Sequence, residues 1–379
     1  MKQFQKKEYG CGYMKIDFKQ KIEKRKERDW CRRLRGAIVL EAATLLALLI
    51  LLISENGSSS GQALTVTGDG YIKWVDFNVS YEALCKAYTY DVESYDEKIH
   101  LDWLELLAYV AARNGGDFGS GAVRDLGKIA DKITSGETTM EDATKDMKYY
   151  SYYMEAYTAV LGGLVGEYEI QETEGGPYVK KYGLKGFSPV AKGFEYSEYD
   201  DFGVSRDYGY RRQHLGHDMM GQIGTPVIAA ESGYVEAIGW NQYGGWRLGI
   251  RSFDGKRYYY YAHLRQNYPY QENLKQGDTV TAGEVIGYMG HTGYSSKENV
   301  NNIDSVHLHF GLQLIFDESQ KEGNHEIWVD CYNLTRFLYK NRSEVYKVEG
   351  TKEWKRKYDM REAVPKKTEP TNTERKETK

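Results

Sequence analysis

Two stretches between residues 64 and 165 have apolar positions spaced as on amphipathic helices. In residues 99–113 the apolar side chains that share one helical stripe are Leu104, Leu107, Ala108 and Ala111. A second stretch begins at Thr138, whose spacing to Glu141 is that of a capping box, and runs to Leu161 before two glycines. The spacing predicts two helices and a small helical domain over residues 64–165.

From about residue 175 this pattern changes to short apolar runs separated by glycine turns, which are typical of strands. No helical pattern intervenes among six such runs, so an antiparallel all-β domain is predicted over residues 175–345. A short helix is expected near Cys331–Tyr339, and the composition over residues 350–379 predicts a disordered tail. The six predicted strands are Val227–Ala230, Tyr234–Trp240, Trp246–Phe253, Arg257–His263, Val285–Met289 and Val306–Ile315.

The longest apolar run of the chain is Ala37–Ile53, which has 17 residues and one charge, Glu41. Because about 17–25 apolar residues cross a bilayer, the run predicts one transmembrane helix. Residues 1–36 carry 13 lysines and arginines against 5 acidic residues, which favours a cytoplasmic N-terminus. Residues 54–63 then form a flexible linker, and the following domains lie outside the cell membrane. A cleaved signal peptide is the weaker alternative, because its apolar core usually has only about 7–15 residues.

The composition excludes a mainly disordered chain and does not fit a nucleic-acid-binding protein. The chain has 379 residues, of which 41% are apolar and 14% aromatic, and its net charge is −4, so most of it can bury a core. Its N-terminal basic block is not interleaved with aromatic residues on a folded domain, so no nucleic-acid partner is expected. Of four cysteines, only Cys85 and Cys331 are predicted to share a compartment, where they either pair or stay free.

Six of the eight histidines fall between residues 214 and 309, inside the predicted β domain. They include the pairs His214-x-x-x-Asp218 and His307-x-His309, and imidazole and carboxylate groups are zinc ligands. Residues two apart on a strand share a face, so His307 and His309 lie side by side. The easier arrangement is that one of them binds the metal while the other lies beside an open coordination position. Three protein ligands are typical of a catalytic zinc. His263, at the end of a tyrosine-rich strand, is a candidate acid or base.

The order of these motifs resembles that of the lysostaphin-type M23 zinc metallopeptidases over about residues 205–316. The resemblance implies that His214, Asp218 and His309 bind Zn²⁺. It also implies that His263 and His307 flank the reacting water, as general base and as donors to the developing oxyanion. The motifs that carry it are His214-x-Gly216-x-Asp218, Gly224-Thr225-Pro226-Val227, Gly233-x-Val235, Tyr261-Ala262-His263-Leu264, Gly277-Asp278-x-Val280, Gly290-x-Thr292-Gly293 and His307-Leu308-His309-Phe310.

The resemblance implies a zinc endopeptidase that hydrolyses peptide bonds in bacterial cell-wall peptidoglycan, and the apolar run predicts that it is membrane-anchored. The expected fold is multidomain, with an N-terminal transmembrane helix, a small all-α domain and an antiparallel all-β, lysostaphin-like peptidase domain. The alternative is a catalytically silent scaffold that binds the cell wall or an envelope partner, ranked second because all five site positions are present. An envelope or secretion-complex protein is a further expected partner. Residues 297–305 depart from the family as an insert, predicted to be a polar loop at the groove rim.

Overall fold

The computed structural model describes residues 72, 75, 77–207, 211–321 and 325–362. These residues belong to one compact unit, which begins at Gly70. The predicted cytoplasmic segment 1–36, transmembrane helix 37–53 and linker 54–63 lie outside the described residues. None of the described helices combines the length and the apolar character that crossing a bilayer requires.

The helical region precedes the sheets along the chain. Asp102 caps its second helix, because the carboxylate accepts hydrogen bonds from the backbone N–H groups of Leu104 and Glu105. The predicted stripe of this helix is confirmed, since all four of its side chains are buried. Gly115 ends the helix in the left-handed conformation, at φ 62°. The described helices are α1 Tyr81–Ser94, α2 Trp103–Asn114, α3 Ser120–Thr134, α4 Met140–Thr144, α5 Tyr150–Leu161 and α6 Tyr332–Leu338.

The predicted second helix is wrong in its start and in its continuity. The structure divides it into α4 and α5, which are separated by residues 145–149. The cap is Thr139 rather than Thr138, since the hydroxyl oxygen of Thr139 accepts a hydrogen bond from the backbone N–H of Asp142. Apolar residues continue with helical spacing across the break, so periodicity alone does not reveal it. Helices α1 and α3, which complete the helical region, were not among the predicted elements.

The antiparallel all-β domain is confirmed. Its largest sheet has the strand order β11-β8-β9-β10-β13-β6-β3, and β14 pairs with β13. Strands β7, β8, β9, β10, β12 and β13 match the six predicted strands to within two residues at each end. The strands are β1 Val165–Gln171, β2 Tyr178–Leu184, β3 Ser197–Glu198, β4 Ser205–Asp207, β5 Arg211–Gln213, β6 His217–Met220, β7 Pro226–Ile228, β8 Gly233–Asn241, β9 Gly245–Ser252, β10 Arg257–Ala262, β11 Thr279–Val280, β12 Val285–Tyr288, β13 His307–Leu314, β14 Ile327–Val329, β15 Val345–Lys347, β16 Trp354–Arg356 and β17 Met360–Arg361.

The predicted disordered tail over residues 350–379 is wrong for its first part. Strand β16 pairs with β15, and β17 pairs with β1 through the partners Met360 and Ile170. Met360 is buried, and it packs in a small apolar cluster with Phe187. A few apolar residues therefore hold this segment on the sheets despite its polar composition. Residues 363–379 lie outside the described residues.

The helical region is joined to the main sheet through a buried arginine. Arg257, at the start of β10, is 1% exposed and donates to the main-chain oxygen of Ala159 at 2.8 Å, near the end of α5. Its guanidinium also forms a two-point ion pair with Glu231, at 2.7 and 3.0 Å. A cation suits unpaired carbonyl groups at a helix C-terminus. The two cysteines within the described residues, Cys85 and Cys331, are both free thiols.

Candidate metal centre

Three predicted ligands meet at the junction of β6 and β13. The antiparallel register places His309 directly opposite Asp218, and His214 lies four residues before Asp218. His309 Nδ1 is 2.9 Å from Asp218 Oδ1, and His214 Nε2 is 3.0 Å from both of these atoms. His214 and Asp218 are buried, and His309 is nearly so. Two distant segments of sequence thus bring two nitrogens and one oxygen to one point.

Two of the three ligands, His214 and Asp218, are oriented by partners on their far side. His214 Nδ1 lies 3.1 Å from a carboxylate oxygen of Asp201 and 3.3 Å from its main-chain oxygen, so an Nδ1–H donor leaves the Nε2 lone pair facing the other ligands. Arg206 pairs with Asp218 Oδ2 at 2.8 Å and also with Asp201. Asp218 therefore keeps Oδ1 for the ligand position.

The protonation states of the cluster suit metal binding. Burial disfavours the charged form of Asp218, but its contacts with His214 and His309 outweigh burial and hold the pKa of this carboxyl well below its usual range. Burial also lowers the pKa of His309, which favours the neutral imidazole. A carboxylate and neutral imidazoles are the forms that bind metals.

Gly216 makes room for one of the ligands. A Cβ atom at this position would lie 2.6 Å from Cε1 and Nε2 of His309 and 2.8 Å from the main-chain oxygen of Phe310. These separations are too short for any side chain, so the glycine between the two ligands of the first motif is needed for the position of His309.

His263 and His307 lie beside the three ligands. Their rings are 4.7 Å apart between centroids, and His307 Nε2 is 3.8 Å from Asp218 Oδ2. Each Nδ1 atom is 2.9 Å from a main-chain oxygen, that of Thr292 for His263 and that of Ser305 for His307. An Nδ1–H donor to these carbonyl groups fixes both rings and leaves each Nε2 to accept or donate a proton.

His263 occupies an unusual position. It adopts the left-handed backbone conformation at φ 59°, which is uncommon for a residue with a side chain and is found at functional sites. Burial, followed by the proximity of His307 and His309, holds the pKa of His263 well below its usual range.

His217 lies between two of the ligands in sequence but faces away from the cluster. Its ring hydrogen-bonds the hydroxyl of Thr335 at 2.7 Å. His291 Nδ1 lies 2.6 Å from the main-chain oxygen of Ile303, so this ring hydrogen-bonds to the backbone rather than to the five site residues.

The cluster lies in a groove of about 820 Å³. Its walls include His263, His307 and His309 together with aromatic side chains from several strands and loops. Ile303, in the predicted insert 297–305, lines the groove, and Asn299 accepts a hydrogen bond from Trp246 Nε1 at 2.9 Å. The insert thus lies beside the groove, where a rim loop was expected.

The donor set fits a zinc ion. Two imidazole nitrogens and one carboxylate oxygen are the ligand types and the number that catalytic zinc sites use. Within the described part of the chain, His214, Asp218 and His309 are the group of metal-binding side chains whose ligand atoms converge. Zinc binding by these residues nevertheless stays a prediction, as do the roles of His263 and His307.

Known proteins share this site segment. Residues 212–322 match peptidase family M23. We refer to this segment as the M23 domain, after the family that it matches. The L-Ala–D-Glu endopeptidase of Bacillus subtilis is 38% identical over 118 residues, which cover 31% of this chain and 35% of that protein. Lysostaphin of Staphylococcus staphylolyticus is 41% identical over 98 residues, which cover 26% of this chain and 18% of that protein.

A solved structure of the catalytic domain of lysostaphin from Staphylococcus simulans is also similar to the M23 domain. It is 31% identical, with a TM-score of 0.30, and the match covers 37% of this chain and 92% of that domain. The chain spans only about a third or less of the length of the two curated relatives. Peptidases of the M23 family are hydrolases, and the alternative of a catalytically silent scaffold is not favoured.

Two residues that contact the candidate ligands were not predicted from the sequence. Asp201 orients His214, and Arg206 pairs with Asp218. Both precede the first motif in a stretch rich in tyrosine, aspartate and glycine. No spacing there indicates contact with the ligands, because the chain must first turn back between β4 and β6.

Proposed function

We propose that this chain is a zinc endopeptidase that hydrolyses peptide bonds in bacterial peptidoglycan. The observation that carries the proposal is the convergence of His214, Asp218 and His309 within 3.0 Å of one another, with two further histidines beside them in an open groove. The similarity to proteins named as an L-Ala–D-Glu endopeptidase and as a peptidoglycan DD-endopeptidase supports the choice of substrate.

In this proposal His214, Asp218 and His309 hold the zinc ion. A zinc ion held by these groups would supply Lewis acidity toward the scissile carbonyl and the attacking water. Asp201 and Arg206 keep the ligands in place from behind, as outer partners do in metal sites. The chain's contribution is a rigid ligand set that needs no rearrangement during the reaction.

His263 and His307 are the proposed proton acceptor and donor of the reaction. Both rings are held at Nδ1 by carbonyl oxygens, so proton exchange takes place at Nε2. One neutral imidazole can accept a proton from the attacking water, and an N–H group can donate to the oxygen on which negative charge develops. Burial of His263 lowers its pKa and so favours the neutral form, which is the form that can accept a proton.

The proposal is tested by measuring bound zinc and the release of new amino groups from purified cell wall by the full chain. We expect one zinc per chain and hydrolysis in the wild type. His214→Ala should lose both, whereas His307→Ala should keep the zinc and lose hydrolysis. His325→Ala, which changes an exposed histidine outside the site, is the matched control and should behave as the wild type. A folded, zinc-loaded wild type that releases no amino groups from walls of any cross-link type would support the scaffold instead.

We also propose that Ala37–Ile53 anchors the chain in the cell membrane with the M23 domain outside the cytoplasm. The apolar length of the segment and the basic residues before it support this arrangement. In cells, the full chain should stay with the membrane after alkaline washing, and protease added to spheroplasts should degrade its M23 domain. Release by washing would contradict anchoring. An envelope or secretion-complex partner for the helical region remains a proposal and would be sought by crosslinking in the same cells.

A further inference from the structure

The groove of the M23 domain contains a cation that has no ion-pair partner among the described residues. Three cationic side chains line the groove: Arg206, Arg247 and Lys321. Arg206 pairs with Asp201 and Asp218, and Lys321 pairs with Glu236 and Glu318. For Arg247 no carboxylate of the described chain lies within ion-pair distance, so its charge is available to a ligand.

Arg247 is also incompletely hydrogen-bonded. Its Nε atom is shielded from solvent and has no hydrogen-bond partner in the described structure. Leaving such a donor unpaired is unfavourable, and more so for a charged group. Its guanidinium lies beside the hydroxyl of Tyr258. Burial raises the pKa of that phenol, and the positive charge of Arg247 opposes the rise. A phenol does not neutralise the charge.

The strand register places Arg247 close to the proposed reaction centre. Leu248 pairs with Tyr261, the next residues toward the site are Arg247 on β9 and Ala262 on β10, and Ala262 pairs with His309. Arg247, Ala262 and His309 all line the groove, which puts them on the same face of the sheet. Two strand spacings separate Arg247 from His309, or about 10 Å between backbones. An extended peptide covers this distance in about three residues.

We infer that Arg247 is a specificity-determining residue that binds a free carboxylate of the wall peptide within about three residues of the bond that is cut. The inference rests on the proposed function and deepens it. An arginine recognises a carboxylate through two parallel N–H donors, and Arg247 lines the groove without a carboxylate partner among the described residues.

This inference selects between classes of peptide substrate. A glutamyl residue in a peptide keeps one carboxylate free, whichever of its two carboxyl groups is in the chain. A run of glycines has no such group and would leave Arg247 unpaired in a filled groove. The structure therefore favours a stem peptide that contains a glutamyl residue over a glycine cross-bridge.

The test uses two synthetic stem peptides that contain L-Ala–D-Glu and differ only in whether the free glutamyl carboxyl is a carboxylate or a carboxamide. A glycine peptide is the third substrate. For the zinc-loaded full chain, we expect kcat/KM for the carboxylate peptide to exceed that for the carboxamide peptide by about tenfold or more, as a charged hydrogen bond implies. Arg247→Gln should abolish this preference, and Arg247→Lys should restore part of it.

Binding provides a second measurement that does not depend on turnover. In the His307→Ala background, calorimetry should show the same preference for the carboxylate peptide, and adding Arg247→Gln should remove it. Lys275→Gln is the control for charge, because it removes one positive charge from an exposed side chain next to Gln276 of the groove wall. It should leave the preference unchanged.

The outcomes separate the inference from the proposed function. Equal cleavage of the two stem peptides by the wild type, a preference that survives Arg247→Gln, an equal loss of preference in Lys275→Gln, or cleavage of the glycine peptide alone would each overturn the role of Arg247. If no peptide and no wall preparation is cleaved, the proposed function fails, and the binding measurement still decides whether Arg247 recognises the carboxylate.

Discussion

His309 and Asp218 are cross-strand partners whose ligand atoms, Nδ1 and Oδ1, lie 2.9 Å apart. Their separation is set by the backbone pairing of β13 with β6 rather than by loop conformation. Sites built on strands are held more precisely than sites on loops. The position of the third ligand, His214, then depends on Asp201 and on the short turn before β6.

Replacing the central carboxylate should weaken zinc binding. Asp218→Asn keeps the shape of the side chain but removes its negative charge. Loss of an outer partner of a metal ligand already costs about 10–100-fold in affinity, so the zinc Kd should rise by about 100-fold or more. Competition with a chromogenic chelator measures this change. Asp96→Asn, on an exposed position of the helical region, should leave the Kd unaltered, and an unchanged Kd for Asp218→Asn would exclude this carboxylate as a ligand.

Adding one methyl group at Gly216 should disturb the site. In Gly216→Ala the new Cβ would meet His309 and the main-chain oxygen of Phe310, so the imidazole must move. Overpacking of this kind costs about 1–3 kcal/mol of unfolding free energy, and zinc affinity should fall with it. Urea unfolding and zinc titration measure the two effects. Gly121→Ala is the control, because a Cβ there meets no atom within 4 Å; wild-type zinc affinity in Gly216→Ala would refute the steric explanation.

The arginine between the helical region and the sheet should matter for stability. Arg257→Met leaves Glu231 buried without its cation, although Tyr259 still donates to it at 2.7 Å. Breaking one side of a buried ion pair costs about 3–5 kcal/mol. Arg257→Met combined with Glu231→Gln removes both charges and should recover part of this loss. Denaturant unfolding of the full chain provides the comparison, and a loss below about 1 kcal/mol in the single variant would show that the pair is not important for stability.

Zinc should stabilise the folded chain, because the three ligands converge only after folding. Free zinc at about 100 times its Kd adds about 2.7 kcal/mol to the free energy of unfolding. Dialysis against a chelator should therefore lower the Tm, and zinc should restore it. In Asp218→Asn the Tm should respond little to zinc. A wild-type Tm that is the same with and without stoichiometric zinc would place the ion at a site that does not depend on the fold.

The motif spacings indicated His214, Asp218 and the His307–His309 pair as candidate ligands because each motif is local, and the choice of His309 came from the family resemblance. The His214–Asp218 and His307–His309 spacings are local in the sequence and do not depend on how the strands pair. The glycine turns mark where those strands end. Asp201 and Arg206 could not be found in this way, since their contacts depend on how β4 and β5 turn back over β6.

The difference between local signals and long-range contacts also explains the errors in the predicted fold. Helix α2 was predicted well because its stripe and its glycine end are both local. The break between α4 and α5 has no glycine or proline to mark it, and the apolar spacing continues across it. The strands after residue 350 were missed because pairing partners such as Ile170 lie far away in sequence, and only Met360 among their residues is deeply buried.

Zinc X-ray absorption spectroscopy of the loaded full chain tests the central claim most directly. We expect a first shell of nitrogen and oxygen atoms at about 2.0–2.2 Å, including two imidazoles, and loss of this zinc in a His309→Ala variant. Sulfur at about 2.3 Å, or a spectrum unchanged by that substitution, would contradict it.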